Sequence, residues 1–520
     1  MAKGSDKSTA VKSISIMAVL ILLAKFMGLF REMLVAGIYG QGYASDVINS
    51  ATQIPLLFFD MVLGVAILST FVPIYNRNLE MHGRGAADAF ANNFITIVGA
   101  VAVLAAILGL AFAAPIVRLM VPGYAEVPGK IEETARLLRI LFPSIAFTAI
   151  AYVVVGILQS HGEFTVPSLI SVVSNGVMIA YLLIFGDSMG LTGVAVSMLI
   201  AWALQLFFQL PWLVKTGYRY RPRCNFRDGT MKEVAQLAVP VLISSWVQPF
   251  CNMINMALGS GLGDGAVSAL NWANKIYIIM VGVFAYAITN FIFPKLSKLS
   301  AGDNDEAFAE TTRTSVGWII FIIALVTALF LALSNPIIKV VFERGAFTAE
   351  STQITATALF YYSFGMIGYS ICEVLNKSFY AIRDGVTPMV MSIIGIVINI
   401  VCAALFVLVF NMQVGGLALA SALSSTAIAA ALMFMINRRK GNVINGAFLV
   451  KLLKTLLCAA IAFVLAYFIY AAIDTAWDGG LLWTLIKLCI AALPACAAYF
   501  TAAYILKVDE AAAALRFLKK

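Results

Sequence analysis

The sequence predicts an all-α integral membrane protein of about 14 transmembrane helices, built as two six-helix lobes with two helices appended. Three observations predict it. The 520 residues are 62% hydrophobic and only 12% charged, with a mean hydropathy of +0.94, whereas a soluble chain carries about 25% charged residues. The apolar residues form long uncharged runs such as Phe94–Ala114, broken only by Thr96, without the 3.6-residue period of a soluble core helix or the alternation of a barrel strand. A pattern of turn residues also recurs at a spacing of about 221, which marks an internal duplication of the kind many transporters carry.

Taken in order, the spans fall at 13–38, 45–76, 88–115, 131–158, 166–186, 190–215, 231–260, 266–296, 309–334, 351–380, 388–410, 414–437, 448–473 and 480–506. The first continues past Lys25 and Arg31 and has a counterpart later in the chain, so it reads as a membrane helix and not as a cleaved leader. The second carries Pro55, where a kink is expected. Between the sixth and seventh lies a basic stretch holding Arg219, Arg221, Arg223 and Arg227, and after the twelfth come Arg438, Arg439 and Lys440. Lys and Arg gather on the cytoplasmic side of a membrane protein. The organisation is therefore a cytoplasmic tail (1–12), a first lobe (13–215), a cytoplasmic linker (216–230), a second lobe (231–437), helices 13 and 14 (438–506) and a cytoplasmic tail (507–520). Both termini are therefore placed on the cytoplasmic side of the membrane.

The duplication pairs Gly40-Gln41-Gly42 with Gly261-Leu262-Gly263 and Ala51–Ile54 with Ala273–Ile276. Phe71–Pro73 pairs with Phe291–Pro294, and Glu163–Pro167 with Asp384–Pro388. With an even number of helices per copy, both copies enter the membrane in the same direction. Such lobes are related by an axis along the membrane normal, with a central cavity expected between them.

Charges inside the spans are the candidate functional residues, because burying one at the bilayer centre costs at least about 2.5 kcal/mol. Lys25 lies ~18 Å along helix 1. Arg31 and Glu32 follow, Asp60 lies in helix 2, Lys275 in helix 8 and Glu373 in helix 10. Lys25, Arg31 and Lys275 sit in the leading helix pairs of the two lobes, and cations there suit an anionic substrate with phosphate oxygens. Glu32, Asp46, Gln53, Asp60, Asn274 and Glu373 are candidates for polar lining or gating. The competing reading makes these charges internal salt bridges, with Lys25 and Glu32 on one helix face and Arg31 paired to Asp46 or Asp60. His82 and His161 read as solvated loop residues, and Asn399 as a bond to a neighbouring helix. Gly415-Gly416 and Ala418–Ser425 read as close helix packing. The seven cysteines make no disulfide framework and no metal spacing. No phosphate-binding loop, catalytic triad, metal cluster or other cofactor motif occurs, and the net charge of +9 belongs to orientation and not to nucleic acid.

Several segments resemble one family. Ala24-Lys25-Phe26-Met27-Gly28-Leu29-Phe30-Arg31-Glu32 is similar to the helix 1 signature Ser-Arg-x-x-Gly-x-x-Arg-Asp/Glu of the MurJ/MviN lipid II flippases. Ile54-Pro55 with Ser69–Pro73, Arg139–Pro143 with Gly156–Gln159, and Ser268–Lys275 resemble that family's helices 2, 4 and 8. Glu343-Arg344-Gly345-Ala346-Phe347-Thr348 is the most specific match. The resemblance implies the fold of the MOP exporter superfamily, MATE-like lobes plus two helices. It also implies a transporter, not an enzyme, that moves the undecaprenyl-diphosphate-linked peptidoglycan precursor from the inner to the outer leaflet by alternating access. Lys25, Arg31 and Lys275 would engage the diphosphate, and helices 13 and 14 would hold the polyprenyl tail. Partners so implied are lipid II or a related lipid, membrane lipids, and proteins of cell-wall synthesis and division. The family arginines of helices 1 and 8 are here Lys25 and Lys275, and an arginine pair in helix 2 is Phe59-Asp60.

Three other functions compete. A MATE-like cation antiporter would prefer an acidic cavity and need only twelve helices. A flippase for another polyprenyl-diphosphate glycan fits the same charges. A membrane glycosyltransferase would need catalytic carboxylates in a long aqueous loop, and no loop here is long enough.

Overall fold

The computed structural model describes residues 2–60, 67–225, 229–236, 247–302, 304–476 and 479–518, and among them every regular element is helical. Among the described residues, ten helices are long and apolar enough to cross a membrane, and a bent pair makes an eleventh candidate. The remaining expected spans fall on α1 (Ala2–Tyr39), on α2 (Tyr43–Phe59) with α3 (Val72–His82), and on α10 (229–236) with α11 (Val247–Ser260). Parts of the last two, 61–66 and 237–246, lie outside the described residues. Helix α2 continues through Pro55 to Phe59. The N-terminal tail expected at 1–12 is helical from Ala2, and the tail at 507–520 contains the helix α20 (Asp509–Leu518).

The chain forms two compact units, Met1–Val267 and Ser268–Lys520. In the first, α4 (Arg84–Ala111), α5 (Ala113–Met120), α6 (Lys130–Leu141), α7 (Ser144–Ser160), α8 (Thr165–Phe185) and α9 (Gly190–Lys215) surround a core that includes Ile54, Phe71, Phe90, Phe94, Phe142 and Leu158. Helix α11 belongs to this unit because it packs on α2, α5 and the turn Pro122–Glu126. Helix α12 (Ala266–Ala301) begins here and runs into the second unit. There follow α13 (Asp305–Phe342), α14 (Ala349–Ser363), α15 (Met366–Ala381), α16 (Val386–Ala404) and α17 (Gln413–Lys440). Helices α18 (Gly446–Ala476) and α19 (Leu481–Ile505) pack on each other and on α13, around Phe321, Ala324, Ala328, Ala462, Ala495 and Tyr499.

The internal repeat holds at the level of single backbone groups. Pro115 and Pro336 each lack the N–H that would continue the helical ladder. Three residues before each, Phe112 (φ −105°, ψ 21°) and Leu333 (φ −121°, ψ 18°) leave helical geometry. In the turn after α7, Gly162 has φ +80°, Glu163 N–H bonds the Leu158 carbonyl at 2.9 Å, and Glu163 accepts from the N–H groups of Thr165 and Val166. In the turn after α15, 221 residues on, Arg383 has φ +59°, Asp384 N–H bonds the Phe379 carbonyl at 2.9 Å, and Asp384 accepts from Val386 and Thr387. A carboxylate at a helix N-terminus satisfies otherwise orphaned N–H groups, so both copies start the next helix by the same device. His161 is part of that turn and not a solvated residue, being half-buried with Nδ1 2.9 Å from the Ile157 carbonyl.

Two other readings of packing are met directly. Asn399 donates to Ser421 at 3.1 Å. A methyl on Gly415 or Gly416 would lie within 2.9 Å of Tyr361 or Phe406, so these glycines mark close helix contacts.

Candidate functional site

Lys25 lies half-buried on α1 and lines a pocket of about 510 Å³ within the first unit. Helix α7 contributes Tyr152 and Gln159, and α8 contributes Ser168, Ser171 and Asn175. Asn175 Nδ2 donates to the Ala24 carbonyl at 3.3 Å, which ties α8 to α1 one residue from the lysine. The lysine ammonium shares a mostly apolar pocket with these amides and hydroxyls, a setting that offers several donors to an anion. Asp60, at the C-terminal end of α2, is exposed, and its neighbour Phe59 packs on Tyr152 with the rings tilted and their centroids 5.5 Å apart. Gln53 is half-buried on the same helix.

Arg31 and Glu32 form an ion pair of 2.6 Å, with Glu32 buried and Arg31 Nε buried without a partner among the described residues. Arg31 thus pairs with its own neighbour and not with Asp46 or Asp60. Asp46 is fully buried in the first turn of α2, where its Oδ2 accepts from Lys130 Nζ at 3.0 Å and from the Gly265 N–H at 2.8 Å. Lys130, the first residue of α6, is 1% exposed and also bonds Asp264 Oδ1 at 2.6 Å. Its ammonium stands 4.1 Å from the centroid of the Tyr124 ring, whose hydroxyl bonds Ser50 at 2.8 Å. A cation at a helix N-terminus is unfavourable by itself, so the two carboxylates and the ring face are what keep it there.

In the second unit Asn274 and Lys275 are half-buried on α12, and Glu373 is half-buried on α15. Between the two helices runs a tyrosine cluster. Tyr277 packs on Tyr362 at 5.6 Å and on Tyr369 at 5.8 Å. Asn274 on α12 and Glu373 on α15 each lie one helical turn from a tyrosine of this cluster, Tyr277 and Tyr369. The Glu343–Thr348 segment is built differently from a binding loop. Arg344 donates to the Val340 and Val341 carbonyls that end α13, and the Thr348 hydroxyl accepts from Ser351 N–H to start α14. Glu343 takes a 2.6 Å bond from Thr352, and Phe347 is buried against Trp272 and Phe342.

Lys130, Asp264 and the tyrosines escaped sequence reasoning. Lys130 stands at a span boundary, where a lysine reads as a loop charge, and tyrosines inside apolar runs read as packing. The repeat held one usable signal: 221 residues beyond Asp46 and Lys130 stand Val267 and Ser351, so the charges belong to one copy alone.

Comparison with known proteins adds the following. A family model described as lipid II flippase MurJ matches residues 35–487. A probable lipid II flippase MurJ of Rickettsia prowazekii is 28% identical, the alignment covering 75% of this chain and 77% of that protein. Another, from Bdellovibrio bacteriovorus, is 25% identical over 97% of this chain and 96% of its own length. Among solved structures, lipid II flippase MurJ in an inward closed conformation superposes with a TM-score of 0.77 at 22% identity, covering 95% of this chain and 99% of that one. An inward-facing MATE-family multidrug transporter of the MOP superfamily superposes with a TM-score of 0.67 at 16% identity, covering 83% of this chain and 98% of that one.

Proposed function

This chain belongs to the MurJ family of lipid II flippases, and from that premise we propose that it carries lipid II from the inner to the outer leaflet by alternating access. The match over residues 35–487 is the observation that carries the reading. Lys25, Arg31 and Lys275 serve the diphosphate as charges inside otherwise apolar spans, where a phosphate oxygen gains more from a cation than it does in water. Glu32, Asp46, Gln53, Asp60, Asn274 and Glu373 are the polar groups that line or gate the route. The protein is a transporter without catalytic residues. It sits in the bacterial inner membrane with the linker 216–230 and both termini inside, and works beside the proteins of cell-wall synthesis and division.

The polyprenyl tail stays in apolar surroundings, because each CH₂ moved into water costs about 0.8 kcal/mol. A groove of about 430 Å³ beside α18 suits it, walled by Ile367, Met433, Phe448, Leu452 and Leu456. Phe448, Leu452 and Leu456 come from α18, Ile367 from α15 and Met433 from α17, so the tail site is formed by helix 13 with the second lobe. Helix 14 braces helix 13 through the shared core.

A second reading keeps the mechanism and changes the cargo. The replacement of arginine by Lys25 and Lys275, and of an arginine pair by Phe59-Asp60, favours a related polyprenyl-diphosphate glycan. Expression of the chain in cells depleted of their own lipid II flippase separates the two. Growth and normal shape at wild-type protein level support lipid II as cargo. Stable, membrane-inserted protein without rescue supports the other glycan.

A further inference from the structure

We propose that Lys130 is a gating residue, the outer latch of the transport cycle. This rests on the orientation given above, which puts the loops around Gln41, Gly123 and Asp264 outside. Three of those loops meet at this lysine. The tip of the α11–α12 hairpin is held against the start of α2 and the turn before α6 by four polar links. Lys130 bonds Asp264, Asp46 accepts from Gly265 N–H, Gln41 donates to the Gly265 carbonyl at 3.0 Å, and the Gly123 N–H donates to Ser260 Oγ at 3.0 Å. The hairpin lies flush on residue 123, since a Cβ there would stand 2.3 Å from the Ser260 carbonyl oxygen.

The charge arrangement is what a joint that opens and recloses needs. A buried ammonium deprived of its counter-ion is strongly unfavourable. Lys130 has two carboxylates of unlike exposure, Asp46 at 0% and Asp264 at 46%. When the hairpin lifts, Asp264 leaves into water and Asp46 stays, so no charge is stranded in either state. At the matching positions the second copy of the repeat carries Val267 and Ser351, which cannot form this ion pair. A brace belonging to the fold would be present in both copies.

The test uses the full-length protein with its seven cysteines replaced and Ser260→Cys as reporter, because Ser260 is 4% exposed beneath the hairpin tip. Intact cells are treated with a membrane-impermeant maleimide. Ser260→Cys alone should label slowly. Adding Asp264→Asn, or separately Gly123→Ala, should raise the labelling rate at least tenfold at unchanged protein level. Lys130→Gln removes the buried ion pair of Asp46 and should lower abundance, while Lys130→Gln with Asp46→Asn should restore abundance and still label fast. Equal labelling with and without Asp264→Asn overturns the latch. The tenfold difference seen only in inverted vesicles keeps the latch but overturns the outward orientation.

Discussion

Replacing Phe347 by alanine tests whether the Glu343–Thr348 phrase holds the fold or touches the cargo. The ring is 2% exposed, 5.5 Å from the ring of Trp272 and 5.7 Å from that of Phe342, both themselves fully buried. Truncating such a phenylalanine costs about 3–5 kcal/mol, from lost transfer energy and the cavity left behind. Each aromatic pair accounts for about 0.5–1.5 kcal/mol of this. Phe347→Leu keeps most of the volume and should cost less than about 1.5 kcal/mol. Denaturant unfolding of the purified protein in micelles should rank parent, leucine and alanine in that order, and transport should fall in proportion to abundance. An alanine variant within about 1 kcal/mol of the parent that has nonetheless lost transport would refute the reasoning and assign the loop to the cargo.

Three further outcomes follow from the same geometry. Lys25→Arg and Lys275→Arg should rescue flippase-depleted cells, while Lys25→Ala and Lys275→Ala should fail at normal abundance; failure explained by lost protein would make them structural counter-ions. Arg31→Ala takes the 2.6 Å ion-pair partner from the buried Glu32 and should reduce abundance; Arg31→Ala with Glu32→Gln should regain abundance yet not transport, and regained transport would remove Arg31 from the site. Asp384 is partly desolvated, but the N–H groups and hydroxyl at the start of α16 and the Arg439 guanidinium 2.5 Å away outweigh that and hold its carboxyl below the usual range. A depressed carboxylate stabilises above its unfolded pKa, about 3.9, and the contribution is lost as pH falls through the lower folded value. Stability should therefore be flat from about pH 5 to 8 on this account, and Asp384→Ala should cost about 0.5–2 kcal/mol there, a difference that vanishes in strong acid.

Much of the architecture was legible because a membrane narrows the options. Backbone groups must be satisfied within each span, so apolar runs translate into helices, and the turn residues between them repeat at 221. The pairs Gly162–Arg383, Glu163–Asp384 and Pro115–Pro336 carry that repeat into single hydrogen bonds and kinks. The site was less legible. Lys130 finds its partners 84 and 134 residues away, which no local pattern encodes. Arg31 and Glu32 are adjacent on a helix, where side chains do not normally face each other, and the long arginine folds back to meet its neighbour. The Glu343–Thr348 phrase was legible as a signature, but its work of ending α13, starting α14 and burying Phe347 emerged only from the packing.

The most direct test of the central claim measures lipid II on the outer leaflet. Cells depleted of their own flippase and expressing this chain are exposed to an enzyme that cleaves lipid II and cannot cross the membrane. If the chain is a lipid II flippase, the cleaved product appears at the level of undepleted cells and falls to background in Lys25→Ala with Lys275→Ala. Background cleavage with the intact chain, present in the membrane at normal level, would contradict the account.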